Sequence, residues 1–280
     1  MIGDMKIELS KAKKNKYAIP AFNAINPLMI KKYIEVANSL QAPIIISLAE
    51  AHLEYMELEE ALYSYEHYAS KTNVPIILHL DHGQSIEVVK QAINLGFPSV
   101  MIDGSMHDFD TNVKMTKEII EYSQLKGIAV EAEIGHVGAG ENYETDELTD
   151  SIYTSVEDAV EFVNQTNVNS LAVSIGTAHG HYKGIPKLNF NRLNDINKSV
   201  DIPLVLHGGS SSGDDNLRKT IEFGISKINV FTDVVTSINK QMDCGKDYFT
   251  VLDQINLGIE NCLKHYIDLF GTRKWSEIND

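Results

Sequence analysis

Ile76-Ile77-Leu78-His79-Leu80-Asp81-His82 is an apolar run that closes on an acid and an imidazole, and it reads as a buried strand with chemistry at its C-terminal end. Two further runs end in the same way, Leu171-Ala172-Val173-Ser174-Ile175-Gly176-Thr177-Ala178-His179 and Pro203-Leu204-Val205-Leu206-His207. Three imidazoles delivered from strand ends, His82, His179 and His207, with a fourth position left for water or substrate, form the arrangement that a catalytic zinc uses. A carboxylate, Asp81, comes attached to the first of them.

Working outward, short β-branched runs recur with helical stretches between them, the pattern of parallel strands joined by crossover helices. Strands are expected at 18–22, 43–48, 75–80, 99–102, 128–133, 170–175, 203–206 and 227–230. Amphipathic stretches lie between them at 27–40, 86–95, 112–126, 155–165 and 214–223, and Ser155-Val156-Glu157-Asp158 reads as a capping start. This α/β alternation with eight strands favours a closed TIM (β/α)8 barrel over an open doubly wound sheet, and a length of 280 residues is that of one such domain, 1–280. In a barrel the residues beyond strand C-termini meet at one mouth. His82, His179, His207, Asp81, Asn23, Glu133 and Asn229 are therefore expected to converge there.

Composition narrows the function. Hydrophobic residues make up 43% and charged residues 22% of the chain, as in an ordinary globular protein. A formal charge of −15 argues against nucleic acid, whose binders concentrate positive charge. The nearest basic run, Lys11-Ala12-Lys13-Lys14-Asn15-Lys16, reads as a solvated face at the end of an N-terminal helix. Only Cys244 and Cys262 occur, in no metal or redox spacing, and no signal-peptide core or membrane-length apolar stretch is present, so the expected compartment is the cytoplasm.

The stretch from Gly135 to Thr154, rich in glycine and acid, follows the fifth strand; it reads equally as a lid or as a solvated insertion. Among the ten histidines, His79 shares strand parity with Asp81 and is expected as a satisfied core residue, while His181 ranks below His179 because Gly180 turns the chain between them. Two glycine-rich turns, Gly180 with Lys183-Gly184 and Gly208-Gly209-Ser210-Ser211-Ser212-Gly213, follow the candidate ligands. Backbone amides of such turns hold phosphate oxygens, and the second precedes a helix, where barrels commonly bind phosphate.

Six motifs in order, Leu78-His79-Leu80-Asp81-His82-Gly83, Val100-Met101-Ile102-Asp103-Gly104-Ser105, Val130-Glu131-Ala132-Glu133-Ile134-Gly135, Gly176-Thr177-Ala178-His179-Gly180, Leu206-His207-Gly208-Gly209-Ser210 and Lys227-Ile228-Asn229-Val230, resemble those of the class II, zinc-dependent ketose-bisphosphate aldolases. The resemblance implies one zinc held by His82, His179 and His207, with Glu133 approaching an alternative metal position, and Asp81 as acid/base. It implies Glu141 as the second proton carrier, with Glu144, Asp146 and Glu147 as loop neighbours of similar character. It places substrate and phosphate contacts at Asn23, Gly180, Lys183, Gly208, Gly209, Ser210, Asn229 and Thr232, with a monovalent cation, Na+ or K+, near the phosphate. A homodimer or homotetramer acting on a sugar bisphosphate follows from the same likeness, with neither nucleic acid nor membrane as a partner.

The chemistry suits these residue types. Breaking the C3–C4 bond of a ketose leaves charge on the C2 oxygen, which a Lewis acid stabilises, and two proton transfers need two groups. The sequence departs from the family at Ala49-Glu50-Ala51-His52 and at Phe231. The segment Asp243-Cys244-Gly245-Lys246-Asp247-Tyr248 also lacks the arginine that reaches the distal phosphate of a neighbouring subunit. Fructose 1,6-bisphosphate is the first expected substrate, followed by tagatose 1,6-bisphosphate and a phospho-deoxygluconate. A metal-dependent hydrolase is disfavoured because no His-x-His occurs near residues 18–26, and a non-catalytic partner subunit is disfavoured by the intact histidine trio.

Overall fold

The computed structural model describes residues 1–135, 153–178, 180 and 184–279. Eight parallel strands close on themselves in chain order: β1 (Ile19–Asn23), β2 (Ile44–Ala49), β3 (Ile76–Gly83), β4 (Ser99–Ile102), β5 (Ala129–Ile134), β6 (Ser170–Val173), β7 (Leu204–Leu206) and β8 (Ile225–Val230). Closure is made by β1 and β8, where Ala21 stands opposite Asn229. Helices follow the strands on the outside, so the expected (β/α)8 barrel is the fold.

Local chemistry sets the element ends. The helix Pro27–Leu40 starts where the Asn26 side chain accepts from the Met29 amide and proline occupies the first turn; it stops at Gln41, which turns left-handed. Ser155 caps Val156–Thr166 as its sequence suggests. The helix Phe109–Gln124 begins three residues before the expected 112, because Asp108 caps it by accepting from the Thr111 amide and hydroxyl. The basic run is not purely a solvated face, since Lys13 donates to the carbonyls of Val200 and Ile202. Among the described residues no helix is long and apolar enough to cross a membrane.

The apolar core lies between strands and helices. Isoleucine, leucine and valine at even positions, such as Ile44, Ile46, Leu78, Leu80, Val130 and Ile228, are fully buried in it. Odd positions also bury apolar residues, such as Ile45 and Ile77, but some of them carry polar groups. His79, Glu131 and Lys227 are buried polar groups of β3, β5 and β8, and they meet one another across strands that do not pair. The barrel interior is therefore polar beneath the mouth.

One strand breaks its alternation where it matters. Along β3, Leu80 stands opposite Val100 and Gly83 opposite Ile102, so three steps on β3 match two on β4, and His82 takes a left-handed φ of 45°. An extra residue of this kind bends the strand and re-aims side chains. Without it, Asp81 and His82 would point to opposite faces of the sheet. A non-glycine residue held left-handed costs about 1–3 kcal/mol, which the contacts of His82 described next offset.

Candidate active site

Asp81 is buried at the mouth of the barrel. Its Oδ2 accepts from Asn23 Nδ2 at 2.9 Å and its Oδ1 from Asn229 Nδ2 at 3.0 Å, one asparagine from β1 and one from β8. Tyr33 donates to the Asn23 carbonyl at 2.8 Å and steadies that strand end. Burial alone would raise the Asp81 pKa, but the surrounding His82, Lys227, His207 and His79 outweigh it and hold the carboxyl well below the usual range.

The two described imidazoles of the trio, His82 and His207, face each other. His82 Nε2 and His207 Nδ1 lie 3.0 Å apart, and Glu133 Oε2 lies 3.2 Å from the same His207 nitrogen. Each ring is held from behind by a carboxylate: His82 Nδ1 by Asp103 Oδ2 at 2.8 Å and His207 Nε2 by Glu131 Oε1 at 3.0 Å. Asp103 is itself fixed by the Ser105 amide and hydroxyl. Burial would lower the His207 pKa, yet its hydrogen bonds to Glu131 and Glu133 push it up to about 10. For Glu131, the nearby Lys227 and His207 overcome burial and bring the pKa down to about 2.

A cavity of about 350 Å³ opens over this cluster, lined by Asn23, Asp81, His82, Gly180, Gly208, Ser210, Asn229 and Thr232, and by Ala49, Ala51, His52 and Phe231. Gly208 has a φ of 68°, and a Cβ there would collide with the Ala178 carbonyl. Ser210 Oγ accepts from the amides of Phe231 and Asp233 at 3.2 Å each, tying the turn to the start of the helix Thr232–Gln241. The positive end of that helix therefore faces the cavity.

Residues 4–274 match the family described as class II fructose-bisphosphate aldolase. The chain belongs to the class II fructose-bisphosphate aldolase family. Among solved structures, the YdjI aldolase from Escherichia coli K12 is similar at 31% identity and a TM-score of 0.87, with 98% of each chain covered. A candidate fructose-1,6-bisphosphate aldolase from Coccidioides immitis matches at 29% identity and 0.88, with 99% of each chain covered. A fructose-bisphosphate aldolase from Campylobacter jejuni covers 94% of this chain and 93% of its own at a TM-score of 0.76; its 21% identity speaks to the fold alone.

This class II aldolase is a lyase, and the zinc implied by the family resemblance suits its donor set. Tetrahedral zinc with nitrogens at about 2.0–2.1 Å separates two ligand nitrogens by roughly 3.3 Å. The 3.0 Å between His82 and His207 is already close to that. Carboxylates behind both rings are what orient histidine ligands. Donor atoms of Asp81, His82 and His207 lie within 4.8 Å of one another, as do those of His82, Asp103 and Glu133.

The structure thus brings together Asp81, His82, His207, Glu133, Asn23, Asn229, Gly180, Gly208, Ser210 and Thr232. His179, Lys183 and Glu141 lie outside the described residues, as do His181 and 136–152 of the expected lid. Gly209 lies between Gly208 and Ser210, and its amide donates to the Asn229 carbonyl of β8 at 3.1 Å. His79 is the core residue expected but is satisfied on one side only: Nδ1 bonds to Ser99 at 3.0 Å, while Nε2 has no hydrogen-bond partner among the described residues.

Sequence reasoning left Asp103, Glu131, Lys227, His52 and Phe231 without roles. Asp103 sits just past β4, and Glu131 shares parity with Glu133, signals that pointed to the mouth and the interior. For Gly208→Ala in this aldolase, the expected result is a KM for phosphorylated substrate raised roughly tenfold, equivalent to about 1.4 kcal/mol of lost contact, with kcat less affected. Steady-state kinetics checks it; an unchanged KM would remove the turn from the phosphate site.

Proposed function

We propose that this chain catalyses the zinc-dependent, reversible aldol cleavage of a ketose 1,6-bisphosphate, foremost fructose 1,6-bisphosphate, to dihydroxyacetone phosphate and glyceraldehyde 3-phosphate. The observation that carries the reading is the buried Asp81 carboxylate, fixed by two asparagines, beside two imidazoles whose inner nitrogens converge to 3.0 Å. His82, His179 and His207 would hold the zinc, with Glu133 as an alternative ligand. Bound there, zinc would supply Lewis-acid polarisation of the substrate carbonyl.

Asp81 accepts the C4 hydroxyl proton in cleavage and returns it in condensation. Its depressed pKa keeps it ionised, and Asn23 and Asn229 aim its oxygens. Glu141 is proposed for the second proton, delivered to the carbon left by cleavage. Gly180, Lys183, the amides around Gly208, Ser210 and the helix start at Thr232 take the phosphate, with Na+ or K+ beside it. His52 and Phe231, whose rings pack at 5.0 Å, form the part of the cavity wall available to the aldehyde half. The chain is proposed to act as one domain in a cytoplasmic homodimer or homotetramer.

The test is cleavage of fructose and tagatose 1,6-bisphosphates with and without a chelator. Chelation should abolish turnover, added zinc should restore it, and the fructose substrate should have the higher kcat/KM. Activity that survives chelation and is trapped by borohydride would replace this reading with Schiff-base chemistry. A reversed preference would reassign the substrate to the tagatose epimer.

A further inference from the structure

Lys227 is wholly buried on β8, and its ammonium lies 2.8 Å and 2.9 Å from the two oxygens of Glu131 on β5. Strands β6 and β7 separate these two, so the pair crosses the barrel interior rather than joining neighbours. Glu131 is equally buried, and the oxygen nearer to Lys227 is also the one that holds His207 Nε2 at 3.0 Å. Two further titratable groups stand near the pair: His79, whose Nε2 lies 3.9 Å from Glu131 Oε2, and Asp81, whose carboxyl feels the Lys227 charge; Ser170 Oγ lies 3.5 Å from Glu131 Oε2.

Two ions stripped of water stabilise a core poorly compared with apolar side chains of similar volume. Stability alone therefore gives little reason for a lysine and a glutamate at the centre of this barrel. Their place does: the chain Lys227 to Glu131 to His207 ends at the nitrogen that faces His82 and Glu133. A histidine ligand presents one ring nitrogen in the right tautomer only when the other is held by an acceptor, and that acceptor must itself be fixed.

We propose that Lys227 is a positioning residue for the metal centre, compensating and anchoring the Glu131 carboxylate so that His207 presents Nδ1 to the ion. This rests on the reading of His207 as a ligand. Lys227 is not among the residues that line the cavity; it acts through two intervening side chains, Glu131 and His207.

The experiment compares Lys227→Met, Glu131→Gln and the double variant, reading zinc affinity of the metal-free protein by competition with a chromophoric chelator, together with the thermal midpoint. The absorption spectrum of the cobalt-loaded protein reports ligand geometry independently. Lys227→Met should bind zinc about 10–100-fold more weakly and alter the cobalt spectrum. The double variant, with both charges gone, should regain thermal stability while zinc binding stays weak.

Two results overturn the proposal: zinc affinity that recovers along with the thermal midpoint in the double variant, or zinc binding within about twofold of the parent in Lys227→Met. If Lys227→Met does not fold, Glu131→Gln decides, because parental zinc affinity there equally overturns it. His207→Ala serves as the control. Parental zinc binding in that variant would remove His207 as a ligand, a failure of the metal reading distinct from a failure of the lysine's role.

Discussion

Asp81→Ala is expected to retain zinc and to lose turnover by on the order of 10²–10⁴-fold, the usual contribution of a positioned acid/base. The substitution removes the carboxylate that Asn23 and Asn229 now address, but leaves His82, His207 and the carboxylates behind them in place. Metal content and kcat must therefore separate. Metal analysis of the purified variant beside steady-state kinetics provides both readings, and turnover within tenfold of the parent would take Asp81 out of the mechanism. Loss of zinc along with activity would instead make Asp81 part of the metal's grip, a role its proximity to both imidazoles allows.

His82→Asn should show the opposite pattern, folding normally while losing the metal. Asparagine tolerates the left-handed backbone that position 82 requires, so the variant removes the imidazole without adding strain. Losing an outer hydrogen-bond partner of a ligand typically costs 10–100-fold in metal affinity; loss of the ligand itself should cost more, at least about 100-fold. Equilibrium dialysis against buffered zinc measures this, and turnover should vanish at limiting zinc. A full equivalent of tightly held zinc in His82→Asn would mean that the ion sits elsewhere.

How much of this was written in the chain can be judged from particular residues. The barrel was legible because its strands are short apolar runs separated by amphipathic helices, and Ser99–Ile102 falls where the run itself does. Ends shifted where a feature outside the periodicity decides them. Asp108 starts a helix early, and Gly176, with a φ of 114°, stands past a strand that ends at Val173 rather than Ile175.

At the mouth, Asp81, His82 and His207 were visible as strand-end chemistry, and Asn23 and Asn229 by their place at strand ends, with a substrate role added by resemblance. Lys227 and Glu131 were not, because a pair 96 residues apart leaves no local pattern. A lysine between Ser226 and Ile228 reads as solvent-facing until the barrel closes around it. The glycine-rich turn hid a detail for a related reason: it has several amides, and only the folded chain shows that β8 accepts from that of Gly209.

The bulge in β3 carries one more implication. By re-aiming His82, it lets two consecutive codons supply both the proposed proton carrier and a proposed anchor of the electrophile, with their separation set by a single peptide unit. Drift elsewhere in the barrel shifts the two together, whereas His207 and Glu133 arrive on separate strands and can move alone. Relatives that take up different sugars would then be expected to vary the surrounding wall while keeping this dipeptide and its kink as an inherited pair.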